Sequence, residues 1–439
     1  LGDVYKRQQI LTNKDQKDMN YYQKMAIEHM YVGMTNQTLM AEEGGPLVME
    51  SSDGIYINDV EGNRYIDVIS GMYFRNVGHG QKIISKAIYD QLNSVSMNVY
   101  SGITPKSAEL AKKISEITPG GLSRSFFCQG GSEANESSLK LAQAFHVRNG
   151  EKGRYKIISR KGSYHGSTYG TMWLGGHPGF PRTDYQPKPL NVVTVPHPHF
   201  YRDEFGSKSP EENAMNSAQA IEDAIIFEGA ESVSAVIGEP VSQPLGGIVP
   251  HESYWPLVRE ICDKYEVLLA ADEVITGFGR TGTLFGLQHW GIEPDMIQFA
   301  KAITSGYFPL GGIGISDEIH QTMTDSGTPW MHAYTYSSHP VGCAVALAML
   351  DLIEKEDFPT QAREKGARLL KNLKEALEDH PNVGDVRGLG MMCGIEIVKD
   401  KATGEEFDAS EKIGPKVHQA GVERGLFSRV RADVYCLAP

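Results

Sequence analysis

A chain of 439 residues suggests two or three structural units and is too long for a peptide hormone or a small disulfide scaffold. With 40% hydrophobic and 22% charged residues, 47 glycines and 22 prolines, the profile is that of a loop-rich globular protein rather than a disordered one. The net charge of -13 provides no global positive field for phosphate backbones or anionic lipid, which argues against nucleic acid and membrane surfaces as partners.

The segment Leu1 to Gln8 lacks an apolar run and is set apart from the fold; the expectation is a disordered or non-native stretch over residues 1-20. From Asp53 the pattern predicts an antiparallel meander, with strands Gly54 to Asn58 and Arg64 to Ile69 around a turn at Asp59 to Asn63. Between about Gly78 and Pro340, β-branched runs alternate with helical patterns, the mark of an α/β domain around a mostly parallel sheet. Its expected strands are Ser123 to Phe127, Lys156 to Ser159, Val192 to Val195, Ser234 to Gly238, Val267 to Asp272 and Met296 to Phe299. Pro187 to Met215 reads as a long surface loop, and from Ala344 the pattern turns helical before strands near Val383 and Met391 to Val398. The predicted organisation is a first part of a small domain over 21-77, a large domain over 78-340, and a second part of the small domain over 341-439.

Five scattered cysteines, none in a CxxC, signal neither a disulfide framework nor a thiolate zinc site and suit a reducing cytoplasm. The longest small-apolar run, Val341 to Leu350, is about half the span of a transmembrane helix. His197 and His199 form an HxH pair without a third ligand nearby, so no metal is expected.

Four segments carry chemistry. Gln129-Gly130-Gly131-Ser132 follows a strand and opens a helix, with Ser132 expected at the N-cap; the segment suits a phosphate cradle or an ordinary capped helix, and alone leaves both open. Gly277, Gly279 and Gly282 spell G-x-G-x-x-G, but the acid precedes the glycines and no helix follows clearly, which favours a surface loop over a dinucleotide turn. Asp272 ends the apolar run Leu268 to Ala271, where an open α/β sheet collects its ligands, although a cap is an equal reading. Lys301 ends the run Met296 to Phe299 in apolar surroundings that lower an ammonium pKa, the condition for a nucleophilic amine, with a lysine snorkelling to the surface as the other reading.

Together these segments resemble the class III, fold-type I aminotransferases that use pyridoxal 5'-phosphate. The resemblance rests on Gly131-Ser132-Glu133-Ala134-Asn135, Tyr164-His165-Gly166, Gly238-Glu239-Pro240, Asp272-Glu273-Val274, Thr276 to Gly282, Ala300-Lys301 with Gly311-Gly312, His332 to Tyr336, and Arg387 to Gly390. It implies that Lys301 anchors the cofactor aldehyde and then moves the substrate proton, and that Asp272 pairs with the pyridine nitrogen. It further implies that Gly131 and Ser132 hold the phosphate, that Tyr164 and Val274 cover the two ring faces, that His165 and Glu239 lie near the cofactor, and that Thr335 reaches the phosphate of a neighbouring subunit. A homodimer or dimer of dimers follows from that last residue.

The closest branch is the ω-amino acid or amine:pyruvate one, because Phe427-Ser428-Arg429 matches the place of its carboxylate-binding arginine. Tyr73 and Phe74 match an aromatic pocket position, and could equally pack the lobe. The ornithine and 4-aminobutyrate branches usually carry an arginine where Tyr435-Cys436-Leu437 stands. Relatives are expected to continue past Pro439, so truncation is a further expectation. The resulting reading is transfer of an amino group from an amine or ω-amino acid to pyruvate or a related 2-oxo acid. The alternatives are an aminomutase, racemase or decarboxylase on the same cofactor, and a nicotinamide-dependent oxidoreductase.

Overall fold

The computed structural model describes residues 19–99, 102–176, 182–189 and 191–439. Most of the expected segment 1-20, residues 1–18, lies outside the described residues. The chain divides into two compact units, one ending at Ile66 and the other running from Asp67 to Pro439.

In the first unit, Asn20 caps helix α1 (Tyr21–His29) by accepting from the Gln23 amide, and Gln23 returns the bond to the Asn20 amide. Asn36 caps α2 (Gln37–Glu42) by accepting from the Leu39 amide, with no return bond. A meander follows of β1 (Met49–Asp53), β2 (Tyr56–Asp59) and β3 (Arg64–Asp67), paired antiparallel. The two expected strands are present with shifted ends, and β1 was not foreseen: its sequence MESSD is fully exposed and has no apolar alternation.

The second unit is built on a seven-stranded sheet. Its strands are β4 (Arg124–Cys128), β5 (Lys156–Arg160), β6 (Val192–Val195), β7 (Val233–Gly238), β8 (Leu268–Asp272), β9 (Met296–Phe299) and β10 (Gly311–Ile315), in the order β4-β10-β9-β8-β7-β5-β6. From β9 to β6 the neighbours are parallel, while β10 pairs antiparallel with both β4 and β9. Both faces are buried, so the strands read as continuous apolar runs. In β8, Leu268 and Ala270 pack with Leu141 and Phe145 of α3 (Gly131–Arg148) on one side, and Leu269 and Ala271 join the core of Val258, Ile261 and Phe299 on the other.

Helix starts follow local chemistry. Thr104 caps α4 (Pro105–Ile117) and Ser209 caps α5 (Pro210–Glu228), each with proline at the first helical position. Ser209 therefore ends the expected surface loop Pro187 to Met215 early, and His197 within it is buried. Helix α6 (Pro340–Lys355) is apolar on most of its surface and correspondingly deep in the core. It begins four residues before the expected start at Ala344. A second, antiparallel sheet has the order β11-β12-β15-β14, formed by β11 (Val383–Leu389), β12 (Met392–Ile397), β14 (Arg429–Arg431) and β15 (Val434–Leu437), with the two-residue β13 (Leu426–Phe427) just before β14. All five cysteines are buried and free. Among the described residues no helix is long and apolar enough to cross a membrane.

Candidate active site

Three parallel strands deliver the chemistry to one edge of the sheet. The β7–β8 register sets Gly238 beside Ala271, and the β8–β9 register sets Asp272 beside Gln298. Glu239, Asp272 and Lys301 thus stand at or just beyond the carboxyl ends of neighbouring strands, where ligands collect in open α/β folds. Lys301 lies two residues past β9 in a 3-10 turn with φ of 49°, a left-handed backbone unusual for a side-chain-bearing residue.

These ends open into a cavity of about 200 Å³, lined by Gly131, Ser132, Asn135, Tyr164, His165, Gly166, Glu239, Val241, Asp272, Val274, Ile275 and Lys301. At its floor Asp272 Oδ2 accepts from His165 Nδ1 at 2.7 Å and from Asn135 Nδ2 at 2.9 Å, while Asp272 Oδ1 accepts from the Val274 amide at 3.1 Å. Burial lowers the His165 pKa, but the charge of Glu239 and the bond and charge of Asp272 outweigh it, so the net direction is upward. Glu239 Oε1 accepts from the Tyr164 amide at 3.1 Å, and Oε2 accepts from Arg160 Nη2 at 3.0 Å. Burial alone raises the Glu239 carboxyl, yet the His165 and Arg160 charges hold it below its ordinary value. Lys301 is pushed down to about 8, chiefly by burial with a contribution from the Arg429 charge, while Asp272 and Glu239 oppose the fall. A sizeable fraction of this amine is therefore neutral near pH 8.

The opposite wall is a helix start. Gly130, not Ser132, is the N-cap of α3, and no side chain caps it. Ser132 lies inside the first turn, where its Oγ accepts from the Ser167 amide at 3.1 Å. The correction has a simple cause: Gly130 is extended at φ -174°, which places the N-cap two residues before Ser132 and leaves the first-turn amides without a side-chain cap. The packing is close, since a Cβ on Gly131 would lie 3.0 Å from Val274 Cγ1 and one on Gly166 would lie 2.7 Å from Ser132 Oγ.

The residues fit pyridoxal 5'-phosphate. An amine, a carboxylate and an uncapped helix N-terminus border one cavity, and two buried polar atoms on its walls, His165 Nε2 and Asn135 Oδ1, have no hydrogen-bond partner.

Of the eleven residues singled out from sequence, eight line this cavity and three do not. Gly131, Ser132, Tyr164, His165, Glu239, Asp272, Val274 and Lys301 all line it, whereas Thr335 is exposed in the turn after Tyr334 and is not in the lining. Tyr73 is buried against Ile69, Cys436 and Ala438, so it packs the lobe here rather than lining the cavity. Arg429 is outside the lining too, with its guanidinium 5.8 Å from the Tyr73 ring centre and its Nη1 against Met72 Sδ. Asn135 and Arg160 escaped sequence reasoning. Asn135 is one helical turn after Ser132 on the same face, and Arg160 is a charge at the end of an apolar strand, the same signal that singled out Asp272.

The G-x-G-x-x-G segment has another role. Glu273 accepts from Thr276 Oγ1 and from the Gly286 and Leu287 amides at 2.8 and 3.0 Å, shaping the loop from within. Gly282 meets Arg363 of α7 (Phe358–Leu377), where a Cβ would be 3.0 Å from the Arg363 Cβ. The glycines serve close packing.

Lysine and carboxylate at adjacent strand ends, facing a helix N-terminus, define a fold-type I enzyme dependent on pyridoxal 5'-phosphate. The pattern of the family described as Aminotransferase class-III matches residues 39–434. The chain belongs to the class III aminotransferase family, whose members use this cofactor. It is 35% identical over 420 residues to a putrescine–pyruvate aminotransferase of Pseudomonas aeruginosa, covering 95% of this chain and 91% of the relative. It is 38% identical over 407 residues to a diaminobutyrate–2-oxoglutarate transaminase of Halomonas elongata, covering 89% and 85%. Among solved structures, an (S)-enantioselective omega-transaminase of Thermomicrobium roseum matches with a TM-score of 0.91 and 40% identity, over 95% of this chain and 93% of that one. The omega-transaminase of Pseudomonas jessenii in complex with PMP matches with a TM-score of 0.92 and 34% identity, over 96% and 93%.

Proposed function

We propose that this aminotransferase takes the amino group of a primary amine or ω-amino acid and gives it to pyruvate or a related 2-oxo acid. The observation that carries the reading is that Lys301 and Asp272 line one cavity, with a helix N-terminus on its far side. Bound pyridoxal phosphate supplies an electron sink for the carbon that bears the amino group. Lys301 would hold the cofactor, and once the donor amine has displaced it the freed Nζ, partly neutral near pH 8, would move the proton between that carbon and the cofactor, in the reverse sense for the acceptor. Asp272, fixed by His165 and Asn135, keeps negative charge facing the ring nitrogen. Gly131 and Ser132, at the positive end of α3, would hold the phosphate, and Tyr164 and Val274, which also line the cavity, would cover the two faces of the ring. Glu239 braces the floor through Arg160 and the Tyr164 amide.

Thr335 completes the phosphate site of a second copy of the chain, which makes the working unit a homodimer or a dimer of dimers. Its exposure on the turn after Tyr334 supports that reading. Arg429 binds the carboxylate of the acceptor, and its charge already acts on Lys301. Tyr73 supports Arg429 from below through the guanidinium–ring contact. The large domain is taken as 78-340, with the small domain drawn from 21-77 and 341-439, and the compartment as the cytoplasm. A pyruvate-using relative at 35% identity and omega-transaminase neighbours support the choice of substrates.

The test is a half-reaction. Donor amine alone should convert the bound cofactor to its amine form with loss of visible absorbance, and pyruvate should restore it. Carbon dioxide release, or a spectrum that returns without any acceptor, would point instead to decarboxylation or mutase chemistry.

A further inference from the structure

Several buried or half-buried arginines of the second unit have anionic partners, while others, such as Arg148 and Arg280, bind backbone carbonyls instead. Arg160 pairs with Glu239, Arg259 with Asp295, and Arg387 with Asp385 and Glu396. Two on β14 differ. Arg429 and Arg431 are two residues apart on one strand, so their side chains leave the same face, about 6.5 to 7 Å apart at the backbone. Among the described residues no carboxylate lies within ion-pair distance of either, and Arg429 has only Met72 Sδ and the Tyr73 ring. Among the described residues Arg431 has no side-chain hydrogen-bond acceptor, and its Nε is buried. Burial and then the Arg429 charge both push the Arg431 guanidinium down from its ordinary pKa.

The location of this pair is informative. Register sets Arg429 against Cys436 and Arg431 against Val434 of β15. Cys436 and Val434 pack with Tyr73 and Ile275, and Ile275 also lines the active cavity. The Arg429 charge acts on Lys301, and Tyr164, another cavity residue, acts on the charge of Arg431. A fixed pair of like charges behind the Tyr73 and Ile275 side of the cavity, one with a buried donor left unmatched, is costly unless an anion joins it. Guanidinium forks favour carboxylates in particular.

We infer that Arg431 is a specificity-determining residue that, beside Arg429, gives the site a second carboxylate position, so that the acceptor class extends from pyruvate to 2-oxo dicarboxylic acids. One guanidinium takes each carboxylate of the diacid. The inference rests on the aminotransferase reading for its substrate class, but the anion position itself does not depend on turnover.

The experiment uses the holoenzyme and two unreactive probes, glutarate and butyrate, whose affinities are measured by calorimetry and by displacement of each other. The wild-type protein should bind glutarate at least ~10-fold more tightly than butyrate, as a charge-assisted fork contact implies. Arg431→Gln should erase that preference, Arg431→Lys should retain part of it, and the kcat/KM ratio for 2-oxoglutarate over pyruvate should fall about 10-fold in Arg431→Gln. Equal wild-type affinities, or a preference that survives in folded Arg431→Gln, would overturn the inference. If Arg431→Gln does not fold, the wild-type preference and its reduction in Arg431→Lys decide the matter. Glutarate selectivity without any transamination would sink the substrate reading above and leave the anion position standing.

Discussion

His165 Nδ1 lies 2.7 Å from Asp272 Oδ2, with both side chains buried beneath the cavity. Since the folded pKa of His165 is raised above 6.5, the charged imidazole is favoured in the native state. Its contribution to stability is full below the unfolded value and is lost as pH rises through the folded one. Denaturant unfolding of wild type and His165→Gln across pH should therefore give a difference that is largest below about pH 6.5 and shrinks at higher pH. A difference that grows with pH would contradict the arrangement.

Glu273 has a linkage of the same sign, set in a lower pH range. Burial raises its carboxyl to about 7, above the ordinary 4.5, with its three hydrogen bonds only partly offsetting the rise. Between those values the folded state holds a proton that the unfolded state has released, so stability falls as pH rises from about 4.5 to 7. Glu273→Gln should flatten that part of the stability profile, measured by urea midpoints at constant ionic strength.

The lysine makes a chemical prediction. In cofactor-free protein, Lys301 should react with an amine-directed reagent with a midpoint near pH 8, while exposed lysines titrate near ~10.4. Asp272 raises the Lys301 pKa and Arg429 lowers it, so Asp272→Asn should shift the midpoint down and Arg429→Gln should shift it up. Peptide mapping of the labelled protein reads all three values.

Packing behind the site is equally testable. Gly366 of α7 lies against the carbonyl of Gly390, where a Cβ would overlap the backbone. Gly390 in turn touches the Arg280 and Thr281 backbone of the glycine-rich loop. Gly366→Ala should cost about 1 to 3 kcal/mol, as overpacking does, despite alanine's better helix propensity. A rise in melting temperature would show that the helix and loop separate readily.

Much of the catalytic edge was legible in the sequence because it depends on strand ends. Met296 to Phe299 and Val192 to Val195 were placed to the residue, since a buried parallel strand is an uninterrupted apolar run. Strand β10 was hidden for the converse reason: Gly311 and Gly312 have low strand propensity and are there because a Cβ on Gly312 would lie 2.6 Å from the Phe126 carbonyl and 2.7 Å from the Phe299 ring. Asn135 was overlooked because a polar residue inside a helix gives no sign of which buried carboxylate it will meet. Arg160 binds Glu239 across a strand pairing that only the folded sheet creates.

The central claim is that one lysine carries the cofactor. Holoenzyme reduced with borohydride and digested should yield a pyridoxyl group fixed to the peptide containing Lys301, and Lys301→Ala should yield none. A label on a different lysine, or an unlabelled wild-type protein that had been loaded with pyridoxal phosphate, would contradict the account.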